Sequence, residues 1–333
     1  MPSWAGRVAL VTGVGGFIGS ALAAELLERD AKVVGIVRDS AGMRMLETLA
    51  IHRRIDVVAG SVGDAGLVLR AINEYDVDTI FHLAAQTFVS VANRSPVPTF
   101  ETNVAGTWNV LEAARQSPLV QRVVVASCGK AYHDQSMPPS DGEMRPRGLY
   151  PYAASKACAD ILAQSYATTF PLPVATVRTA NVYGPGDLNW LHLVPGTIRS
   201  ALSRDDPIVR SDGTPEREYL YLDDAVDGYL TVAERLPELT GRTLDLGTGR
   251  TYSVLQVVRR ILTEVADAGL QPRVLAEAAR EVLQRCVGYA EARATIGWVP
   301  AVGIDEGLAR TVRWYRAFLA TGNIVAIRRG ALS

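Results

Sequence analysis

Cysteine is scarce in this chain. Cys128, Cys158 and Cys286 are the three present in 333 residues, and their wide spacing matches no C-x-x-C or zinc pattern and gives no disulfide framework. Long apolar runs are missing as well: no stretch approaches the ~20 consecutive apolar residues that span a bilayer. Neither sign of charge is in excess, since 34 Lys and Arg stand against 35 Asp and Glu for a net charge of -1. No global field draws in a nucleic-acid backbone or an anionic membrane. Internal repeats and low-complexity tracts are absent too. What remains is 48% hydrophobic and 21% charged, the balance of a chain that folds around a core. The expectation is a soluble cytoplasmic protein with no nucleic-acid or membrane partner, in about two domains at the usual ~100 to 200 residues each.

The first half alternates short β-branched runs with helical patterns. Arg7 to Val11, Lys32 to Val37, Ile55 to Ala59, Thr79 to Leu83 and Arg122 to Ala126 read as strands, and such alternation predicts an α/β fold with a parallel sheet covered on both faces. Between the first two runs, Ile18, Leu22 and Leu26 keep helical spacing, so the connection is an amphipathic helix and the unit is βαβ. Tyr152 to Phe170 is a further helix and Val174 to Arg178 a further strand. Beyond Asn181, Pro185, Gly186, Pro195, Gly196, Pro207, Gly213 and Pro215 break the order, with helical patterns near Asp223 to Ala233, Ser253 to Ala266 and Gly303 to Thr321. Residues 1–180 thus read as one part and 181–333 as a smaller, mixed part, packed around a shared cleft.

Gly13, Gly16 and Gly19 fall between the first strand and the first helix. In that setting glycine permits a tight turn, brings backbone close to a pyrophosphate and leaves helix N–H groups facing the anion. The spacing G-x-x-G-x-x-G departs from the usual dinucleotide G-x-G-x-x-G, because Ile18 stands where a third glycine would follow Gly13 and Gly15. The second strand ends Val37-Arg38-Asp39. Asp39 favours a free ribose hydroxyl and Arg38 a 2'-phosphate, so NAD and NADP both remain open.

Tyr152 and Lys156 lie four apart in PYAASKACAD and share a helix face. A phenol ordinarily titrates near ~10, and bringing it to neutrality takes roughly 4 kcal/mol of preference for the phenolate. A nearby ammonium and an oxidised nicotinamide supply such a field. Tyr152 would then remove a hydroxyl proton as hydride leaves the same carbon for the cofactor. A packed ring beside a surface lysine is the plainer reading of this pair alone.

With these motifs in order, the chain resembles the extended short-chain dehydrogenase/reductase family, specifically its nucleotide-sugar epimerases and dehydratases. The resemblance covers nearly the whole length and rests on TGVGGFIGS, FHLAAQ (Phe81 to Gln86), ETNVAGTWNVLEAAR (Glu101 to Arg115), PYAASK, VRTANVYGPGD (Val177 to Asp187) and REYLYLDDAV (Arg217 to Val226). It implies a Rossmann doubly wound parallel sheet holding NAD or NADP, and a smaller mixed α/β C-terminal portion holding a nucleoside-diphosphate sugar, some of whose segments return to the first domain. By position, Gly13, Gly16, Phe17, Ile18, Gly19, Arg38, Asp39, Leu83, Ala84 and Ala85 are implied to contact the cofactor. Tyr152 is implied to be the base for oxidation at carbon 4, with Lys156 holding the nicotinamide ribose, and Gln86, Asn181 and Arg217 to contact the substrate. Because Glu216 and Glu218 flank Arg217, a surface ion pair is the alternative there. His82 reads as structural or cofactor-adjacent; no second ligand stands at metal spacing and no metal is expected. Relatives commonly dimerise through helices including the one bearing Tyr152, so a homodimer is expected.

The sequence departs from the family after the fifth strand, in VVVASCGKAYHD. Cys128 occupies the usual Ser or Thr position, leaving either Ser127 or a weaker thiol to meet the reacting hydroxyl. The chain looks closest to the CDP-glucose 4,6-dehydratase subgroup, including the DLNWLHLVPGTIRS stretch, and Lys130 matches the lysine of that subgroup's Asp-Lys pair. Gly129, however, stands at the Asp position. Without that acid a departing hydroxyl lacks its proton donor, a loss of roughly 100 to 10,000-fold. Epimerisation at carbon 4 needs no such acid and is the expected reaction. The alternatives are a 4,6-dehydratase with an acid displaced to His133 or Asp134, and a catalytically silent NAD(P)-binding regulatory protein.

Overall fold

A computed structural model describes residues 4–129, 150–266, 269–277, 284–285 and 287–321. Its strands run β1 (Val8–Thr12), β2 (Lys32–Val37), β3 (Asp56–Ala59), β4 (Thr79–His82), β5 (Arg122–Cys128), β6 (Val174–Thr179), β7 (Asn181–Tyr183), β8 (Ile208–Val209), β9 (Glu216–Tyr221), β10 (Thr243–Leu246), β11 (Thr251–Ser253), β12 (Arg273–Val274) and β13 (Gln284–Arg285).

Apolar runs such as VALVT and VVVA are buried on both faces, which is what a parallel sheet between two helix layers requires. Seven strands form that sheet, in the order β10-β6-β5-β4-β1-β2-β3, every neighbouring pair parallel. One layer buries Leu22, Leu26, Leu230 and Val232 against Val11, Val33 and Val124. The other buries Val68, Ile72, Leu111 and Ala163 against Leu10, Val34 and Val123. The chain winds outward from β1 in both directions, so the C-terminal ends of β1 and β4 diverge and leave a crevice.

Pro151 stands at the first position of the helix Pro151–Thr169, where its fixed φ suits a helix start and no N–H is missed. The helix packs on β5 and β6, which sets Tyr152 and Lys156 beside the end of β5. That strand runs two residues further than the apolar pattern, to Cys128, with Ser127 abreast of Arg178 and Cys128 abreast of Thr179. After β6 the chain builds a second, four-stranded sheet from β7, β9, β11 and β13. Its core joins Tyr183, Tyr219 and Tyr221 to Ile198, Ile261, Leu308 and Tyr315 of three helices. Between these strands, β10 rejoins the main sheet beside β6, tied by Arg178 donating two hydrogen bonds to Asp245 at 2.6 and 2.8 Å.

Candidate active site

The crevice opens into a cleft of about 1660 Å³ lined by both sheets. At one end stands the glycine turn. Gly13 has φ of +70°, and a Cβ there would lie 2.8 Å from Ala84 N. A Cβ on Gly19 would meet Gly13 O at 2.2 Å, and one on Gly15 would meet Gly42 Cα at 2.4 Å. Close backbone contact therefore selects glycine at positions 13, 15 and 19, while a Cβ on Gly16 would meet Gly13 O at 3.1 Å. Gly16 begins the helix Phe17–Glu28 with no side-chain cap, so the first-turn N–H groups face the cleft without a competing oxygen. Gly16, Phe17, Ile18, Gly19, Leu83, Ala84 and Ala85 all line this end. A bare backbone cradle at a helix N-terminus, entered from a parallel strand, fits a dinucleotide pyrophosphate.

Arg38 and Asp39 lie in the same wall. One Asp39 oxygen accepts from Ala41 N and Gly42 N at 3.1 Å each, capping the helix Ser40–Thr48, while the other accepts from Arg38 at 3.0 Å. These bonds, led by Gly42 N–H and Arg38, hold its carboxyl below the usual range. Arg44 also reaches this wall, unsignalled by any motif.

Beneath the cleft floor His82 is fully buried between Thr12 Oγ1, at 2.8 Å from Nδ1, and Thr107 Oγ1, at 3.0 Å from Nε2. Burial, assisted by the Lys156 charge, holds its pKa at about 3, so the ring is neutral at pH 7. Among the described residues no group of three or more His, Cys, Asp or Glu could hold a metal ion.

At the end of β5, Ser127, Cys128 and Gly129 line the cleft together with Tyr152 and Lys156. Tyr152 is 8% and Lys156 6% exposed. Lys156 Nζ donates to the Ala126 carbonyl at 2.8 Å; the Tyr152 hydroxyl is hydrogen-bonded to the Cys128 thiol. Burial pushes the phenol well above its ordinary value, and Cys128 adds to the rise. Burial also pushes the Lys156 ammonium down, opposed by nearby Asp160. In the protein alone burial governs the Tyr152 phenol, and the expected lowering calls for the ammonium and an oxidised nicotinamide together. Ser127 is 5% exposed, and among the described residues its Oγ has no hydrogen-bond partner. Tyr229, from the helix Leu222–Glu234, also reaches this wall; a buried tyrosine in an apolar helical stripe carries no sequence signal. Lys130, His133 and Asp134 lie outside the described residues.

At the far end, Asn181 and Arg217 line the cleft, and Gln86 does not. The Gln86 amide instead closes its own loop, accepting from Phe88 N at 2.5 Å and donating to Phe88 O at 3.2 Å. Arg217 donates to the Glu216 carbonyl at 2.7 Å. Among the described residues the cleft wall carries three carboxylates, Asp39, Asp187 and Glu218. Asp187 accepts from Asn189 N at 3.0 Å and lies 2.7 Å from His192 Nδ1. Glu218 accepts four backbone N–H groups. Each of the three is therefore already bonded within its own wall.

A buried Tyr-Lys pair facing a backbone cradle, with Asn181 and Arg217 beyond it in the same cleft, brings together the residue types that cofactor-dependent oxidation of a hydroxyl calls for. No described helix is long and apolar enough to cross a membrane. The chain is 28% identical over 333 residues to the CDP-glucose 4,6-dehydratase of Salmonella typhimurium, covering 95% of this chain and 92% of that protein. It is 30% identical over 317 residues to the UDP-glucose 4-epimerase of Mycolicibacterium smegmatis, covering 92% and 98%. The crystal structure of the Thermotoga maritima UDP-glucose 4-epimerase with UDP-glucose superposes with a TM-score of 0.84 at 27% identity, covering 94% of this chain and 100% of that one. With the profile of the NAD dependent epimerase/dehydratase family matching residues 9–247, the chain belongs to that family of nucleotide-sugar enzymes, within the extended short-chain dehydrogenases/reductases.

Proposed function

We propose that the protein epimerises carbon 4 of a nucleoside-diphosphate hexose, using NAD. The observation that carries this reading is the end of β5. Tyr152 and Lys156 are buried in the cleft wall there, while Gly129 brings no carboxyl group and each described carboxylate of the wall is bonded elsewhere. Eliminating water from carbons 5 and 6 needs an acid for the leaving hydroxyl; inverting carbon 4 does not.

Gly13, Gly16 and Gly19 would hold the pyrophosphate, and Asp39 the ribose hydroxyls of the adenosine; a 2'-phosphate would meet the Asp39 carboxylate. Bound NAD supplies the hydride acceptor and a positive ring that favours the phenolate. Tyr152 takes the proton from the carbon-4 hydroxyl and later returns it. Cys128, on the phenol, and Ser127, with an unfilled oxygen, meet the same hydroxyl. Lys156 holds the nicotinamide ribose, and Asn181 and Arg217 take the diphosphate. A homodimer through the helix bearing Tyr152 is part of the proposal.

Dehydration is the second reading, favoured by the likeness to the Salmonella enzyme over 95% of the chain. Incubation with CDP-, GDP-, UDP- and dTDP-hexoses in deuterated water, followed by NMR and mass spectrometry, separates the two. An epimer of unchanged mass with no carbon-bound deuterium is expected. Loss of water with deuterium at carbon 5 or 6 would establish dehydration instead.

A further inference from the structure

Glu218 follows Arg217 on β9 and is 2% exposed. A carboxylate so buried needs its charge met by donors, and it meets four. Oε1 accepts from Thr248 N and Gly249 N, each at 2.5 Å; Oε2 accepts from Val287 N at 2.5 Å and Gly288 N at 3.1 Å. The two turns are shaped for it. Gly249 and Gly288 take φ of +70° and +78°, and a Cβ on Gly247 would sit 2.5 Å from Oε1, so that position admits the carboxylate by having no side chain. Three segments distant in sequence thus converge on one anion: β9, the turn leaving β10 of the main sheet, and the turn after β13. Through the last, β13 lies along β9 with Arg285 abreast of Arg217, and Val287 joins Arg217 in the cleft wall.

We propose that Glu218 is a positioning residue for the nucleoside-diphosphate end of the cleft, fixing the turns at 247–249 and 287–288 against the strand that carries Arg217. The inference rests on the reading that this end binds a nucleoside diphosphate. A glutamine has the same shape but sets an NH2 against two of the four N–H donors, which opens one turn. An aspartate keeps both acceptor oxygens at shorter reach.

Calorimetric titration of wild type, Glu218→Gln and Glu218→Asp with UDP, CDP, dTDP and GDP, and separately with NAD, tests this. Expected is a rise in Kd of ~10-fold or more in Glu218→Gln for whichever nucleotide the wild type binds. NAD affinity stays within about twofold, and Glu218→Asp is the less affected of the two. Nucleotide affinity unchanged in Glu218→Gln, equal losses for NAD and the nucleotide, or an aspartate weaker than the glutamine, as simple space filling demands, would each overturn the inference. If Glu218→Gln does not fold, Glu218→Asp against wild type decides: nucleotide affinity must fall while NAD affinity holds. Wild type binding none of the four overturns the functional reading itself, and the inference with it.

Discussion

The turn after β1 and the end of β5 line the same cleft and are built on different principles. In the turn the functional surface is backbone: Gly13, Gly15 and Gly19 each approach another main-chain atom closer than a side chain allows. At the end of β5 the surface is side chain. Ser127 and Cys128 of β5, with Tyr152 and Lys156 of the helix packed on it, bring oxygen, sulfur and nitrogen to one wall, and the pairing of β5 with its neighbours is made by backbone whatever those side chains are. The first region fixes its own sequence through space, whereas the second is free to change chemistry while keeping the fold. Cys128 departs from the family pattern on a strand that still pairs in register with β6, and Gly129 departs from it immediately after that strand ends.

The sharpest way to test that division is Tyr152→Phe. Removing one oxygen leaves the ring, its packing and β5 in place, so stability and NAD affinity stay near wild type while turnover falls ~100 to 10,000-fold, the scale of a lost general base. Stopped-flow or NMR turnover beside NAD titration measures both. Retained turnover would remove Tyr152 as the base; lost NAD binding would show that the two regions are not separable.

Gly19→Ala probes the other side. One methyl directed at Gly13 O, 2.2 Å away, must displace the turn, at a cost of ~1 to 3 kcal/mol. Cofactor affinity is expected to fall with stability, since the displaced backbone is the surface proposed to hold the pyrophosphate. Gly66→Ala is the control: it is exposed within the helix Ala65–Glu74, its φ is not positive and its added carbon would have only Asp64 Oδ1 at 3.4 Å, so denaturant melts should show it no less stable than wild type. Equal effects at the two glycines would deny that close approach selects glycine in the turn.

The same contrast explains what could be read from the residues. Six strands of the main sheet match their apolar runs to within two residues, since a strand buried on both faces needs an unbroken run. β10 escaped because it has four residues and one is Asp245, whose charge breaks the pattern and is met by Arg178 on the neighbouring strand. The glycine turn was legible, as its spacing is local. Glu218 was not: its partners lie 30 and 70 residues away, and beside Arg217 it reads as half of a surface ion pair. Gln86 differs again: its side-chain amide bonds the backbone of Phe88, two residues away, outside the cleft wall, a local competition that no motif spells out. The Tyr-Lys pair was legible as a pair, and the balance between ammonium and burial was not, because desolvation depends on everything packed around the helix.

Cys128→Ser is the smallest effect and the most direct test of the claim that this wall can exchange chemistry without refolding. Serine keeps the side-chain length to within a bond, and the site lies at the end of a strand already paired with β6, so thermal stability should hold within about 0.5 kcal/mol. A hydroxyl is a stronger donor and acceptor than a thiol. If the Cys128 sulfur, bonded to Tyr152, is what meets the sugar hydroxyl, the serine variant should turn over ~2 to 10-fold faster, the worth of one improved hydrogen bond. If Ser127 meets it instead, the rate should not move in Cys128→Ser and should fall in Ser127→Ala, whose unpartnered oxygen has no other bond to lose. A slower Cys128→Ser enzyme would mean that the thiol itself does something a hydroxyl cannot, and the wall would then be as closely specified by its chemistry as the glycine turn is by its space.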